Sequence, residues 1–255
     1  MVKGISKYFY SKYNFEKSSK YKEDIKAKIL FINNANKKFL NGNAKKLLEV
    51  GFGKGPLISS LNRKYLVSGV DKSKENVLSA RKNYPQGRYF KADMRNFKTN
   101  EKYDMIVSIC SIDHGDDLRK EFAKTIKNMG RHLNNKGILI FDAPLALDTW
   151  TKEWILAYDG KLIGERGTLY RFMGHRQFEK KQRIGYGYMV AMKIKGKRIE
   201  TEAGNVTALE HLLDVNQIKS IAIKNGFRPY VYNGWKSLNP KKGKLTLEPV
   251  FVFAK

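Results

Sequence analysis

Three glycines at alternate positions, Gly51, Gly53 and Gly55, follow an apolar run that ends in Glu49-Val50 and precede a helix-like segment opening at Pro56. A glycine turn between a strand and a helix lets the backbone approach a ligand closely, because no Cβ stands in the way. A triphosphate-binding loop would need four residues between its glycines and then Gly-Lys-Ser/Thr. Here Lys54 is followed by Gly55 and Pro56, so no hydroxyl is offered to magnesium and that chemistry is excluded. A dinucleotide turn asks for G-x-G-x-x-G/A, and Pro56 occupies its last small-residue position. Asp71, closing the next apolar run, suits the ribose hydroxyls of either kind of cofactor and does not discriminate between them.

Other residues could carry chemistry near the same edge. His114, with Asp113 beside it, follows the run "YDMIVSI" and stands where a general base or an ammonium partner could act. His175 and His211 fall in or after a later β-rich stretch, while His132 precedes "NNKG" and reads as structural. Cys110 lacks the Pro-Cys or Thr-Cys context of covalent cytosine methylation and reads as a small buried thiol. No Cys/His cluster has zinc spacing, so no metal is expected. Arg166, Arg171, Arg176, Arg183 and Arg198 are interleaved with Tyr170, Phe172, Tyr186 and Tyr188. Such a set suits a phosphate or carboxylate beside a stacked ring. It suits RNA equally, or a sheet with basic and core-facing sides.

The elements that must position these residues are legible as periodicities. Residues 16–40 are predicted helical, with Ile25, Ile29 and Ile32 on one face, Leu30 and Phe31 beside them, and lysines on the other. "KKLLEV", "YLVSGVD", "GRYFKAD", "KYDMIVSI" and "KGILIFDA" are predicted strands. They alternate with helices that start at Pro56, after the cap Ser73, and near Asp116. That alternation predicts a parallel sheet covered on both faces. Residues 145–207 change to aromatic and β-branched runs separated by charged turns, an antiparallel meander. The helix "DVNQIKSIAIKNG", ended by Gly226, and the strands "FRPYVYN" and "LTLEPVFVFAK" restore the first pattern.

Taken in order, Glu49-Val50-Gly51-Phe52-Gly53-Lys54-Gly55, Asp71, Ala92-Asp93-Met94 and "YDMIVSI" resemble the class I S-adenosylmethionine-dependent methyltransferases. The resemblance is close over residues 45–143 and looser beyond them. "ADMRNFKTNEKYDMIVSICSIDH" and "TALEHLLDVNQIKSIAIKNGF" further resemble the small-molecule N-methyltransferase branch, whose sugar-nucleotide members dimethylate amino sugars.

The fold this implies is a Rossmann-like, doubly wound, seven-stranded α/β sheet with a β-rich antiparallel insertion before the last helix. The implied division is N-terminal lid helices over 1–44, a cofactor-binding core over 45–144, a substrate cap over 145–207, and 208–255 completing the core. The resemblance makes S-adenosylmethionine the cofactor and S-adenosylhomocysteine its product. Glu49 would meet the methionine amino group, Asp71 the ribose, and Asp93 with the Met94 amide the adenine. Ser108 to Ser111 would lie near the sulfonium. Lys72 and Tyr13 join the cofactor candidates, with Tyr8 and Tyr10 in the same N-terminal segment. Tyr10, Trp150, Arg171, His175, Tyr186 and His211 are the substrate-binding candidates, and His114 and Asp113 the catalytic ones. Phe52 and Lys54 stand where that family more often has small or hydroxyl residues.

Composition bounds the rest. A hydrophobic content of 42% fits a folded globule and excludes a disordered chain. No apolar run approaches the roughly 20 residues that span a bilayer, and no secretion signal opens the chain. The single cysteine points to a reducing, cytoplasmic setting. Fifty basic residues against 24 acidic give a net charge of +26, which draws anions. The excess is spread along the chain without a long basic block. The favoured partner is therefore a small anionic methyl acceptor, methylated on nitrogen or oxygen. A tRNA or rRNA acceptor and a non-catalytic cofactor-binding partner subunit are the alternatives, and a dimer is compatible with the sequence.

Overall fold

The helix α1 (Ser19–Leu40) forms because apolar residues recur at helical spacing, and Phe31, Ile32 and Ala35 are buried by it. In this computed structural model, residues 19–112, 118–143, 155–163, 169–179, 184–203, 207–210, 213–238 and 249–255 are described. Lys28 departs from the expected all-lysine outer face. It stands three residues after Ile25 and four before Ile32, so the helical period places it on the packed side, 8% exposed. Asp24, one turn earlier, accepts from its ammonium at 2.6 Å and makes that burial tolerable.

Two compact units make up the chain: Met1–Glu23 with Trp150–Leu212, and Asp24–Thr149 with Leu213–Lys255. The second holds β1 (Lys46–Val50), α2 (Pro56–Leu61), β2 (Leu66–Asp71), α3 (Lys74–Asn83), β3 (Tyr89–Lys91), β4 (Tyr103–Ser108), α4 (Leu118–His132) and β5 (Leu133–Asp142). Its last elements are α5 (Val215–Lys224), β11 (Arg228–Asn233) and β12 (Pro249–Ala254). Seven strands form one sheet in the order β11-β12-β5-β4-β1-β2-β3. The five strands from β5 to β3 run parallel, and β12 enters antiparallel between β5 and β11. The chain order reverses between β1 and β4, and the carboxyl ends of those strands make the crevice where such sheets take ligands.

Both faces are packed, which is why the strands read as continuous apolar runs. Leu47, Met105, Ile138, Ile140, Val250 and Val252 point to one face and meet α1, α2 and α3 through Phe31, Ile32, Leu57, Ile58 and Val77. Leu48, Ile106, Leu139, Phe141, Phe251 and Phe253 point to the other and meet Phe122, Ile126 and Met129 of α4 and Ile218 of α5. Phe141 stacks on Phe251 at 5.1 Å and meets Phe253 edge-on at 4.9 Å. Truncating a ring in such a cluster costs about 3–5 kcal/mol. The caps follow the sequence: Ser73 accepts from the Asn76 amide at the start of α3, and Asp214 and Gln217 close a capping box on α5.

The first unit contains a separate five-stranded antiparallel sheet: β6 (Ile155–Ile163), β7 (Leu169–Glu179), β8 (Ile184–Lys195), β9 (Arg198–Ala203) and β10 (Thr207–Glu210). β7 pairs with β6 and β8, while β9 and β10 both pair with β8. Gly196, at φ 57°, makes the two-residue turn between β8 and β9. Among the described residues no helix is long and apolar enough to cross a membrane, and no cluster of three or more His, Cys, Asp or Glu could hold a metal ion.

Candidate cofactor site

At the end of β1 the chain turns through Gly51, Gly53 and Gly55 with φ of 73°, 57° and 76°, values in the left-handed region that favour glycine. Gly51 is further constrained by space. A Cβ built there would stand 2.5 Å from Ser111 Cβ, so the turn after β4 lies directly against the glycine loop. The loop is also tied to β2. The Gly51 amide donates to Val70 O at 2.7 Å, and the Gly53 amide donates to Asp71 Oδ2 at 2.8 Å. Asp71 Oδ1 accepts from the Ser73 amide at 2.8 Å and from the Asn76 side chain at 3.2 Å. Asp71 thus fixes the loop to the start of α3 before any ligand arrives.

Phe52 gains an account that the sequence did not supply. Its side chain is 2% exposed and packs edge-on to Tyr89 at 5.8 Å. It lies so close over Gly69 of β2 that a Cβ there would come within 2.6 Å of the ring. The loop is therefore anchored by an aromatic plug as well as by glycine. Lys54, by contrast, is exposed.

Glu49 is the one carboxylate of the loop that is buried, 4% exposed, and its Oε2 has no hydrogen-bond partner within the protein. Burial, reinforced by the negative charge of Asp71, pushes its pKa up to about 8. An orphaned buried carboxylate at the mouth of a glycine turn is a site for a cationic donor. The α-ammonium of S-adenosylmethionine fits that requirement.

The turn after β3 is arranged in the opposite way. Arg95 forks Asp93, with Nε on Oδ1 at 2.7 Å and Nη2 on Oδ2 at 2.5 Å, and its own amide donates to Oδ1 at 2.9 Å. Lys72 adds an ion pair to Oδ2 at 2.9 Å. The bonds from Arg95, and then the Lys72 charge, hold the Asp93 carboxyl well below the usual carboxylate range. Arg95 also pairs with Glu121 of α4, which locks this turn to that helix. Met94 reaches toward the loop, its Cε 3.9 Å from a Cβ built on Gly51. Asn128 of α4 donates to Met94 O at 3.1 Å and to Phe97 O at 3.2 Å.

After β4, the Ser108 and Ser111 hydroxyls each lie 3.1 Å from Val50 O and 2.6 Å from one another. Between them, Cys110 takes φ 49°, a left-handed conformation that costs a non-glycine residue about 1 kcal/mol or more. The expectation of a buried thiol at Cys110 does not hold: the reversed turn carries it to the surface, and the residue is exposed. Its amide donates to Asp142 Oδ1 at 2.6 Å, and its thiol lies 3.5 Å from Oδ2. Asp142 closes β5, is 2% exposed, and is raised by burial against the opposing pull of the Cys110 bonds and the Lys28 charge.

The sequence-derived candidates divide cleanly. Glu49, Gly51, Gly53, Gly55, Asp71 and Ser108 are brought to one crevice, with Met94 at its edge and Asp93 and Lys72 joined beside it. Asp113, His114, Tyr10, Tyr13, Trp150 and His211 lie outside the described residues. Arg171 and His175 stand on β7 and Tyr186 on β8, in the register Arg171↔Met192, His175↔Tyr188 and Gln177↔Tyr186. His132 is structural: Nδ1 lies 2.9 Å from Asn128 O and the ring stacks on Phe97 at 4.4 Å. Sequence reasoning missed Arg95, Asp142 and Lys28. Arg95 carried a signal, two residues after Asp93, but Asp142 and Lys28 acquire their roles from contacts distant in sequence.

Residues 47–137 match the family model described as a methyltransferase domain. A dTDP-3-amino-3,4,6-trideoxy-alpha-D-glucopyranose N,N-dimethyltransferase from Streptomyces venezuelae is 24% identical over 115 residues, which are 45% of this chain and 48% of that protein. The match spans about half the length of that relative. Among solved structures, S-adenosylmethionine-bound CalS10, an amino pentose methyltransferase from Micromonospora echinaspora, has the same fold at a TM-score of 0.72 and 18% identity, covering 96% of this chain and 95% of that one. The sugar N-methyltransferase KedS8 from a Streptoalloteichus species gives 0.70 at 18% identity, over 92% and 89% of the two chains. Residues 47–137 thus form a methyltransferase domain, with S-adenosylmethionine as the cofactor its glycine loop fits, and the seven-stranded sheet has the fold of the class I S-adenosylmethionine-dependent methyltransferases.

Proposed function

We propose that the protein transfers a methyl group from S-adenosylmethionine to the nitrogen of an amino sugar carried on a nucleoside diphosphate. The observation that carries the cofactor half is Glu49, buried with an unpartnered oxygen beside three left-handed glycines. The acceptor half is supported by the curated relative, which is named for a dTDP-linked amino sugar. A nucleoside diphosphate acceptor also agrees with the net charge of +26, since its phosphates are anionic.

Bound in the crevice, S-adenosylmethionine supplies a methyl group on a sulfonium, which carries its own driving force. The chain's work is to hold and to align. Glu49 would receive the methionine ammonium, and Asp71 the ribose hydroxyls through the lone pairs left over from Gly53 and Ser73. Asp93, kept ionised by Arg95, would accept from the adenine amine beside the Met94 backbone. Ser108 and Ser111, pinned to Val50 O, would form the wall next to the reacting methyl. His114 and Asp113 are the residues we assign to taking the proton of the acceptor amine. Tyr13 is assigned to the cofactor, and Tyr10, Trp150, Arg171, His175, Tyr186 and His211 to the acceptor.

The test is transfer of labelled methyl from S-adenosylmethionine, with a dTDP-linked 3-amino sugar and bulk tRNA offered in parallel. Label on the sugar nitrogen is expected. Label in tRNA would favour the second reading, for which the basic excess is the supporting observation, and would then weaken steeply with salt.

A further inference from the structure

We propose that Asp142 is a positioning residue for the cofactor site: its buried carboxylate holds the left-handed turn at Cys110 and, through that turn, seats Ser111 against Gly51. The proposal rests on the reading that the glycine loop takes S-adenosylmethionine.

Four observations converge on it. Cys110 occupies a backbone conformation, φ 49°, that side-chain-bearing residues rarely hold without help. The help is visible: the Cys110 amide donates to Asp142 Oδ1 at 2.6 Å, a short bond to a carboxylate that is 2% exposed. The next residue, Ser111, is held by Val50 O and Ser108, and stands so close to Gly51 that any Cβ there would collide with it. Shifting Cys110 therefore moves the wall that touches the glycine loop. Finally, the positive charge of Lys28 on α1 favours the ionised form of Asp142, although the ammonium itself is paired with Asp24. Lys28, on the packed face of that helix, acts electrostatically on both Asp142 and Cys110 while Asp24 holds it at 2.6 Å. Lys28 also lies over the Trp235 ring at 5.9 Å, which fixes the ammonium from the other side. Asp142 thus ties the turn after β4 to the carboxyl end of β5, within the electrostatic reach of Lys28 on α1.

The geometry makes a specific demand. If Asp142 acts by holding Cys110 at positive φ, then glycine at position 110 adopts that conformation unaided and the clamp becomes dispensable. The experiment is a cycle of wild type, Asp142→Ala, Cys110→Gly and the double variant, each read by calorimetric affinity for S-adenosylhomocysteine and by melting temperature. Asp142→Ala is expected to weaken S-adenosylhomocysteine at least 20-fold, and the double variant to regain at least 10-fold of that loss. The fall in melting temperature caused by Asp142→Ala should at least halve in the Cys110→Gly background.

A double variant as weak and as unstable as Asp142→Ala would overturn the clamp. If Asp142→Ala does not fold, Asp142→Asn decides, since its amide oxygen still accepts from the Cys110 amide. Affinity within about threefold of wild type supports the clamp, and a 20-fold loss overturns it in favour of charge alone. Should the wild type bind no S-adenosylhomocysteine, the cofactor reading fails, and the melting-temperature cycle still scores the clamp.

Discussion

Two carboxylates flank the cofactor crevice, and their surroundings are opposite. Glu49, at the end of β1, is buried with an oxygen that no protein group satisfies, and its pKa is pushed up to about 8. Asp93, after β3, is forked by Arg95, paired with Lys72 and held well below its ordinary value. The difference separates two ways of preparing an acceptor. Asp93 is charged and oriented before a ligand arrives, so a neutral donor such as an aromatic amine could bind it at little further cost. Glu49 is left short of a partner, so it favours a ligand that brings a cation. S-adenosylmethionine carries an adenine amine and an α-ammonium, which on the proposed reading meet Asp93 and Glu49 respectively.

The sharpest way to break this contrast is Glu49→Gln. It is expected to cost about 100-fold in S-adenosylhomocysteine affinity, roughly 3 kcal/mol, because the buried cation then lacks its countercharge. Calorimetry in buffers of differing ionisation enthalpy adds a second readout. With a pKa of about 8, Glu49 is mostly protonated at pH 7, and an arriving ammonium displaces that proton. Close to one proton should be released per ligand bound at pH 7 by the wild type, and none by the variant. A wild type that releases none would show that the ammonium does not dock on Glu49. The pair also predicts opposite slopes of stability against pH. Glu49 keeps its proton in the folded state from its ordinary 4.5 up to about 8, so across that window stability falls as pH rises, by about 1.4 kcal/mol per unit from this group. Asp93 has a depressed folded pKa, so its contribution is present above its ordinary 3.8 and is lost as pH falls below it. Glu49→Gln should flatten the first slope and leave the second.

How much of this was legible in the sequence differs along the same line. The places of Glu49, the glycines, Asp71 and Asp93 at strand ends were legible from strand–turn–helix order, and the roles proposed for them came from the resemblance to the class I methyltransferases. Pro56 and Ser73 marked the helix starts correctly, and seven strands were countable because β1, β2, β4, β5 and β12 are buried on both faces. What supports these residues was not legible. Phe52 finds its seat against Gly69 and beside Tyr89, 17 and 37 residues further on. Lys28 looked like one more surface lysine because the sequence does not show that its face of the helix packs against the core, where Asp24 pairs its ammonium. Cys110 looked like a buried thiol because a hydrophobicity pattern carries no information about a positive φ. Local periodicity fixes elements, and long-range contacts then decide what each loop residue does.

Arg95→Ala tests the Asp93 half and should have the next largest effect, about tenfold in S-adenosylhomocysteine affinity. With the fork gone the Asp93 pKa returns toward its ordinary 3.8, so ligand binding should weaken on acidification at a higher pH than in the wild type. Arg95→Lys restores charge without the fork and should recover only part of the loss. A full recovery would show that orientation at Asp93 is immaterial. Gly69→Ala follows. Its Cβ would stand 2.6 and 2.8 Å from the Phe52 ring and must displace that plug, at a cost of about 1–3 kcal/mol in stability. Affinity should fall severalfold through the Glu49 end alone, with the pH dependence set by Asp93 unchanged. A shift in that pH dependence would mean the two ends are mechanically coupled.

Lys72→Ala is the smallest and the most discriminating about what holds Asp93 down. The Lys72 side chain is 62% exposed while that of Asp93 is only 18% exposed, so the pair faces solvent on one side and is screened there. Exposed pairs contribute about 0–1 kcal/mol, so the variant should lose at most about fivefold in S-adenosylhomocysteine affinity, and the difference should vanish in high salt. Arg95, partly sheltered and bonded at three atoms, should keep its full effect under the same conditions. A loss at Lys72 that matched the loss at Arg95 and persisted in salt would require Lys72 to touch the ligand itself. Its expected role among the cofactor-binding residues would then be direct, whereas a small, salt-sensitive loss makes it a neighbour of Asp93 that adds charge and no orientation.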